Sequence, residues 1–229
     1  MRAIKVFSFE EPIDYEKCLT LQKNLVNEVL SDPAVGYLLL LEHTPVFTLG
    51  RRAKQDNILV PYKLLEKEGI KVVETDRGGD ITYHGPGQLI SYPIISLDCK
   101  VKEYVWRLEE AIIRLLNTYG IKSGRKKGYP GVWIDERRKI ASIGIGIKRK
   151  GKIWISYHGT AFNVCPNLRH FSFITPCGIS GIEMVSIESL TGESPPMAEI
   201  KKLYVEEFKR LFSNYNVIPS SPDKLPYPR

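Results

Sequence analysis

Long apolar runs are missing from this 229-residue chain; the most apolar stretch, Tyr37–Leu41, is far too short for a membrane-spanning helix. The opening residues 1–12 lack the apolar core and small-residue cleavage site of a signal peptide, so a cytoplasmic protein is expected. Cysteine is scarce, four in all at 18, 99, 165 and 177, with no CxxC and no His–Cys cluster at zinc spacing. Free thiols are therefore expected, and no structural metal. No GxxxxGK[ST] phosphate loop occurs. Acidic residues are outnumbered, 26 against 33 Lys and Arg, which leaves a net charge of +7. Such an excess favours an acidic partner or is plain solvation. The densest clusters, Arg125-Lys126-Lys127, Arg137-Arg138-Lys139 and Lys148-Arg149-Lys150, are predicted in turns. No helix-turn-helix, zinc-finger or RNP signature accompanies them.

What is present is an ordinary globular composition, 43% hydrophobic and 26% charged. The apolar spacing of Tyr15–Leu30 predicts a helix after an Asp14 cap. Tyr37–Leu41, Val46–Leu49, Lys71–Thr75 and Leu89–Leu97 read as strands, and Tyr62–Glu68 as a short helix closed by Gly69. Val101–Tyr119 carries the clearest helical stripe and stops at Gly120. Strands are predicted at Gly131–Ile134, Lys139–Ile147 and Lys152–Tyr157, the last two joined in a hairpin through Lys148–Gly151. A final helix is expected at about Pro195–Phe212. Neighbouring strands beside strands linked through helices imply an α/β (α+β) chain: a mixed β-sheet with packed helices. No linker divides it, so one domain over residues 1–229 is expected.

Three segments are poorly explained by packing. Arg77–Gln88 reads RGGDITYHGPGQ, with four glycines and a proline in twelve residues. Glycines let a backbone approach a ligand and offer it N–H groups, though the same composition also makes a turn-rich connection. In Lys139–Ile147, alternation puts Lys139, Ala141, Ile143, Ile145 and Ile147 on one face and Ser142, Gly144 and Gly146 on a bare one. That bare face could take a ligand; on pattern alone, Lys139 could equally be a solvated strand end. In Ile174–Gly181, Cys177 sits between Pro176 and Gly178, apart from any apolar element. A free cysteine is either a small buried hydrophobe or, beside N–H groups and an ammonium, a nucleophile with a lowered pKa.

In order, RGGDITYHGPGQL, GVWI followed by KIASIG, YHGTAFNV and PCGISGIEM resemble the lipoyl(octanoyl) transferases, the octanoyl-carrier-protein:protein octanoyltransferases. The match runs from about Tyr37 to Leu190. It implies a biotin/lipoate protein ligase-like catalytic domain without cofactor or metal. By the same resemblance Cys177 holds the acyl thioester, while Lys139 lowers its pKa and assists proton transfer. The implied substrate-binding residues are Arg77, Gly78, Gly79, Asp80, Ile81, Thr82, Tyr83 and His84, then Ser142, Ile143 and Gly144, then Gly159, Thr160 and Ala161. The chain departs from the family pattern in a hairpin at 148–152 a few residues longer than is common. Asp80 and Thr160 stand where the family varies.

The implied donor is octanoyl-acyl carrier protein. The implied acceptors are apo lipoyl domains of 2-oxoacid dehydrogenase E2 subunits and glycine cleavage H protein, with neither nucleic acid nor membrane involved. Thioester exchange is nearly isoenergetic and amide formation runs downhill, so no ATP is required. An acceptor lysine with pKa about 10.4 arrives protonated, so a group must take its proton. Four other readings stand beside this one. An ATP-dependent lipoate or biotin ligase would need no cysteine. A lipoyl-domain amidotransferase would match the motifs less well, and an RNA-binding module would have no use for Cys177. A cysteine hydrolase using His84 or His158 would need an Asn or Asp to orient the histidine.

Overall fold

The computed structural model describes residues 2–176 and 181–225. In chain order its elements are β1 (Arg2–Ser8), α1 (Tyr15–Ser31), β2 (Val35–Leu41), β3 (Val46–Leu49), α2 (Tyr62–Lys67), β4 (Lys71–Glu74), β5 (Ile81–His84) and β6 (Gln88–Ile94). Then follow α3 (Val101–Thr118), β7 (Gly124–Lys126), β8 (Tyr129–Trp133), β9 (Arg138–Lys150) and β10 (Ile153–Asn163). After Gly181 come β11 (Glu183–Met184), α4 (Ile187–Thr191), α5 (Met197–Leu211) and β12 (Tyr215–Ser220). Among the described residues the strands form a nine-stranded mixed sheet, β12-β1-β2-β6-β10-β9-β8-β7 with β11 beside β9, and a small sheet, β4-β3-β5. A mixed α/β fold with helices packed on a large sheet is what the sequence pattern implied.

The apolar run of β2 is explained by cover on both faces. Leu38 and Leu40 join the core under α3 and α5, while Tyr37, Leu39 and Leu41 join the core under α1. Asp14 caps α1 as expected, accepting from the Glu16 and Lys17 N–H groups. The left-handed Gly69 and Gly120 follow α2 and α3, supplying the positive φ that an αL helix ending uses.

Three expectations are corrected, and one unforeseen strand is added. Ile81–His84 is a strand inside the glycine-rich segment, paired antiparallel to β3. Tyr215–Ser220 forms an edge strand parallel to β1, where Pro219 is tolerated because an edge position needs no ladder N–H on its open side. The basic clusters lie largely in strands: Arg125 and Lys126 in β7, Arg138 and Lys139 at the start of β9, and Lys148–Lys150 at its end. The simple alternation along β9 also fails. The β8–β9 register shifts between Val132 and Trp133, which face Ala141 and Lys139, so Ile140 is an extra residue. Ile140 and Ala141 consequently enter the same core cluster, and Lys139 lines the cleft together with Ser142 and Gly144.

Candidate active site

Between the small sheet and strands β6, β10 and β9 lies a cleft of about 480 Å³, a volume suited to a small ligand. Every predicted binding residue except Tyr83 lines it: Arg77–Thr82, His84, Ser142–Gly144 and Gly159–Ala161. Lys139 lines it as well. Tyr83 points the other way because β5 alternates. It is 1% exposed and packs edge-on against Phe47 and Phe171 in the core of the small sheet. Cys177 lies outside the described residues. The sequence reading missed Arg52, Tyr92, Val105 and the residues Gly128, Tyr129 and Pro130, where a turn enters β8. Only the glycine and proline of that turn carried a local signal.

The bare face of β9 has a structural use. A Cβ on Gly144 would sit 2.9 Å from the Gly78 carbonyl oxygen, and the Gly78 N–H donates to the Ile145 carbonyl at 2.9 Å. The glycine-rich turn therefore rests directly on the strand, and the two together shape the cleft. Arg77, 7% exposed, is held by β3: its Nε donates to Thr48 Oγ1 at 3.1 Å and its Nη2 to the Thr48 carbonyl at 2.5 Å.

From Thr48 a buried polar chain crosses to the main sheet. Thr48 Oγ1 lies 3.3 Å from His84 Nε2, His84 Nδ1 lies 2.8 Å from Gln88 Oε1, and Gln88 Nε2 donates to Asn163 Oδ1 at 2.9 Å. Asn163 Nδ2 then donates to the Val185 carbonyl at 2.9 Å. Since Thr48 Oγ1 already accepts from Arg77, its hydroxyl donates to His84 Nε2, which assigns the His84 proton to Nδ1. Burial, with the nearby His43 and Arg77, holds His84 well below the usual histidine range, so it is neutral near pH 7. Burial likewise holds His43 down, at about 4. The chain thus fixes geometry without adding charge.

His158 has φ of +54° and lines the cleft. Its Nε2 lies 2.9 Å from Asp76 Oδ1, and Tyr157 donates to Asp76 Oδ2 at 2.8 Å. The hydrogen bond from His158, helped by that from Tyr157, keeps the Asp76 carboxyl far below the usual carboxylate range. Lys139 is 3% exposed, with its Nζ 5.0 Å from the Trp133 ring centroid. β11 runs parallel to the start of β9 with Met184 opposite Lys139, and the Val185 N–H donates to the Lys139 carbonyl at 3.0 Å. The chain after Gly181 therefore returns directly beside the lysine. Burial pushes the Cys18 thiol up to about 12 and the Cys99 thiol up to about 11. Neither is poised as a nucleophile.

Residues 14–209 match the family model described as the lipoyl protein ligase A/B catalytic domain. An octanoyltransferase of Caldicellulosiruptor saccharolyticus is 43% identical over 207 residues, 88% of this chain and 86% of that one. One from Dictyoglomus turgidum is 44% identical over 206 residues, 88% and 84% of the two chains. Among solved structures, a lipoate-protein ligase A bound with ATP superposes with a TM-score of 0.78 at 16% identity, covering 96% of this chain and 89% of that one. A bi-partite lipoate protein ligase from Thermoplasma acidophilum gives 0.71 at 16% identity, covering 96% and 88%. At such identities the structures establish a common fold and no more. With the sequence relatives at more than 40% identity over most of both chains, this chain belongs to the octanoyltransferase family and carries a lipoyl protein ligase A/B catalytic domain.

Proposed function

We propose that residues 1–229 act as a single cytoplasmic catalytic domain that moves an octanoyl or lipoyl group through Cys177. The donor is an acyl carrier protein. The acceptor is a lysine ε-amine on an apo lipoyl domain of a 2-oxoacid dehydrogenase E2 subunit or glycine cleavage H protein. The observation that carries this reading is the position of Lys139. It lines the same cleft as the three glycine-bearing stretches, on the strand segment that β11 pairs with, and Cys177 precedes β11 by six residues.

In the first step the Cys177 thiolate attacks the carbonyl carbon of the donor thioester. A new C–S bond forms as the carrier's C–S bond breaks, and the carrier thiolate leaves with the proton taken from Cys177. The Lys139 ammonium favours the attacking thiolate by its charge. In the second step the acceptor amine attacks the Cys177 thioester, a C–N bond forms, and the Cys177 thiolate departs. The acceptor ammonium first gives one proton to solvent; the second, shed as the C–N bond forms, ends on the departing Cys177 sulfur by relay, the Lys139 ammonium giving its own proton to the thiolate as it takes the amine's. Burying about seven chain carbons at ~0.8 kcal/mol each offers about 5–6 kcal/mol of binding. The donor is already activated, so the reaction needs neither nucleotide nor metal.

The test is intact mass after mixing with octanoyl carrier protein, in EDTA and without nucleotide. The wild-type chain should gain one octanoyl adduct that maps to Cys177 and is discharged by an apo lipoyl domain. Cys177→Ser should show neither adduct nor transfer, whereas Cys18→Ser, Cys99→Ser and Cys165→Ser should keep both. Transfer by Cys177→Ser at near the wild-type rate would overturn the reading, and an absolute need for ATP would move the chain to the ligase chemistry.

A further inference from the structure

Close to Lys139, on α3 and bonded to the backbone of β8, lies a buried acid that the scheme above does not use. Glu109 of α3 is 7% exposed. Its Oε1 accepts the Gly131 N–H at 3.0 Å, and its Oε2 accepts Arg125 Nε at 3.0 Å. Gly131 has φ of +134°, a conformation that favours glycine. A Cβ there would lie 2.4 Å from the Ala141 carbonyl oxygen, 2.5 Å from Lys139 Cε and 3.1 Å from Lys139 Nζ. The end of the Lys139 side chain therefore lies against the bare α-carbon of Gly131. The Trp133 ring, two residues further along β8, also lies at the Nζ, its centroid 5.0 Å away.

We infer that Glu109 is a positioning residue for Lys139: its carboxylate pins the Gly131 backbone in the conformation that leaves the lysine its seat in the cleft wall. The inference rests on the reading of Lys139 as a working residue of the octanoyl transfer. A buried carboxylate is costly, and an apolar side chain would join α3 to β8 with less loss. Here one oxygen is spent on the backbone N–H of a residue that must stay without a side chain. The groups facing Glu109 are Arg125 from β7, the Gly131 N–H from β8 and the Lys139 ammonium from β9. Glu110, its neighbour on α3, shares Arg125, whose Nη2 lies 2.6 Å from Glu110 Oε2. Arg114 Nε lies 2.9 Å from Glu110 Oε1, so two guanidinium groups, Arg125 and Arg114, balance the acid pair, and Glu109 holds the backbone without depending on Lys139 for its charge balance.

A double-mutant cycle tests this, with kcat, KM for octanoyl carrier protein and the pH profile of Cys177 alkylation measured for each full-length variant. Glu109→Leu should lower kcat about 10- to 30-fold, a fraction of what general acid–base groups supply, while KM stays within about twofold. Its alkylation profile should move to higher pH. Glu109→Gln still presents an oxygen to the Gly131 N–H and should recover most of the lost kcat. On a Lys139→Ala background, Glu109→Leu should cost less than about twofold more, because the residue it positions is gone. Losses that multiply independently would overturn the inference and leave the Lys139 reading intact. Wild-type transfer by Lys139→Ala would overturn that reading and this inference with it. Should Glu109→Leu fail to fold, Gly131→Ala enters the same cycle, and its Cβ must displace Lys139. Full activity in Gly131→Ala would overturn the inference by itself.

Discussion

Strand β9 carries lysines at both ends, and the two ends behave as different materials. Lys139, at its start, is 3% exposed and enclosed by β8, β11 and the Trp133 ring. Nine residues on, Lys148, Arg149 and Lys150 project from the β9–β10 hairpin, all exposed and without an ion pair to any described residue. Only Trp154, itself 41% exposed, stacks on the Arg149 guanidinium. The difference lies in the neighbours. A buried ammonium must be compensated by groups brought in from other elements, whereas water does this for an exposed one at no structural cost. A third cluster is intermediate. Arg125 is spoken for by Glu109 and Glu110, and Lys126 Nζ lies 3.2 Å from Glu136 Oε2. Cations of similar sequence context are thus enclosed cleft residues, internal struts or free surface according to what packs on them.

The largest effect expected is at the enclosed end. Lys139→Ala should lower transfer by about 10²- to 10³-fold and move the pH profile of Cys177 alkylation upward, as loss of a neighbouring cation and proton acceptor requires. Lys139→Arg separates the two roles, since arginine keeps the charge but does not give up its proton. Alkylation should partly recover while transfer to the acceptor stays slow. Normal transfer with an unchanged profile in Lys139→Ala would erase the contrast between the two ends of β9.

Next in size is an acid response that belongs to the cleft side alone. His43 is fully buried, with Nδ1 2.7 Å from the Ile13 carbonyl and Nε2 2.9 Å from the Tyr92 hydroxyl. Burial lowers its pKa from 6.5 to about 4. Between these values the unfolded chain binds the proton and the folded one does not. Stability is therefore complete above pH 6.5 and declines as pH falls towards 4, by about 3 kcal/mol for this residue. Urea midpoints at pH 7 and pH 4.5 measure it. His43→Gln, which does not titrate, should reduce the difference, the other buried histidines such as His84 supplying the remainder, and an unchanged difference in that variant would refute the assignment.

The smallest effect is expected at the hairpin. Reversing Lys148-Arg149-Lys150 to glutamates should raise KM for an acidic carrier protein about three- to tenfold at low salt, leave kcat at saturation unchanged, and lose its effect as salt rises. Reversal of Arg125-Lys126-Lys127 should lower stability through Glu109, Glu110 and Glu136. Equal KM effects from the two reversals would show that internal pairing does not distinguish the clusters.

Periodicity located α1, α3 and α5 within a residue or two because each buries one stripe and ends at a cap, a glycine or a proline. β5 escaped because Ile81–His84 alternates for only four residues inside a segment that reads as a turn. β12 escaped because Tyr215–Ser220 becomes a strand only when β1 offers it an edge. The ordered motifs located nearly all of the cleft, since its walls are the glycine-bearing stretches themselves. They could not locate Arg52, Val105 or Tyr129, which reach the cleft from elements with other business.

The sequence by itself determined α1, α2, α3 and α5, the glycines that close α2 and α3, and which residue types gather at the cleft, while the ordered motifs carried the resemblance to the family. Those follow from local spacing and from side-chain chemistry that no partner alters. Tertiary structure alone decided that Ile140 is an extra residue in β9, that Tyr83 turns into the core, and that Gly131 is bare because Lys139 lies against it. Each depends on a contact between elements far apart in the chain. One residue added to a ladder, or one backbone held by a distant carboxylate, redirects a side chain without leaving any mark on the local pattern.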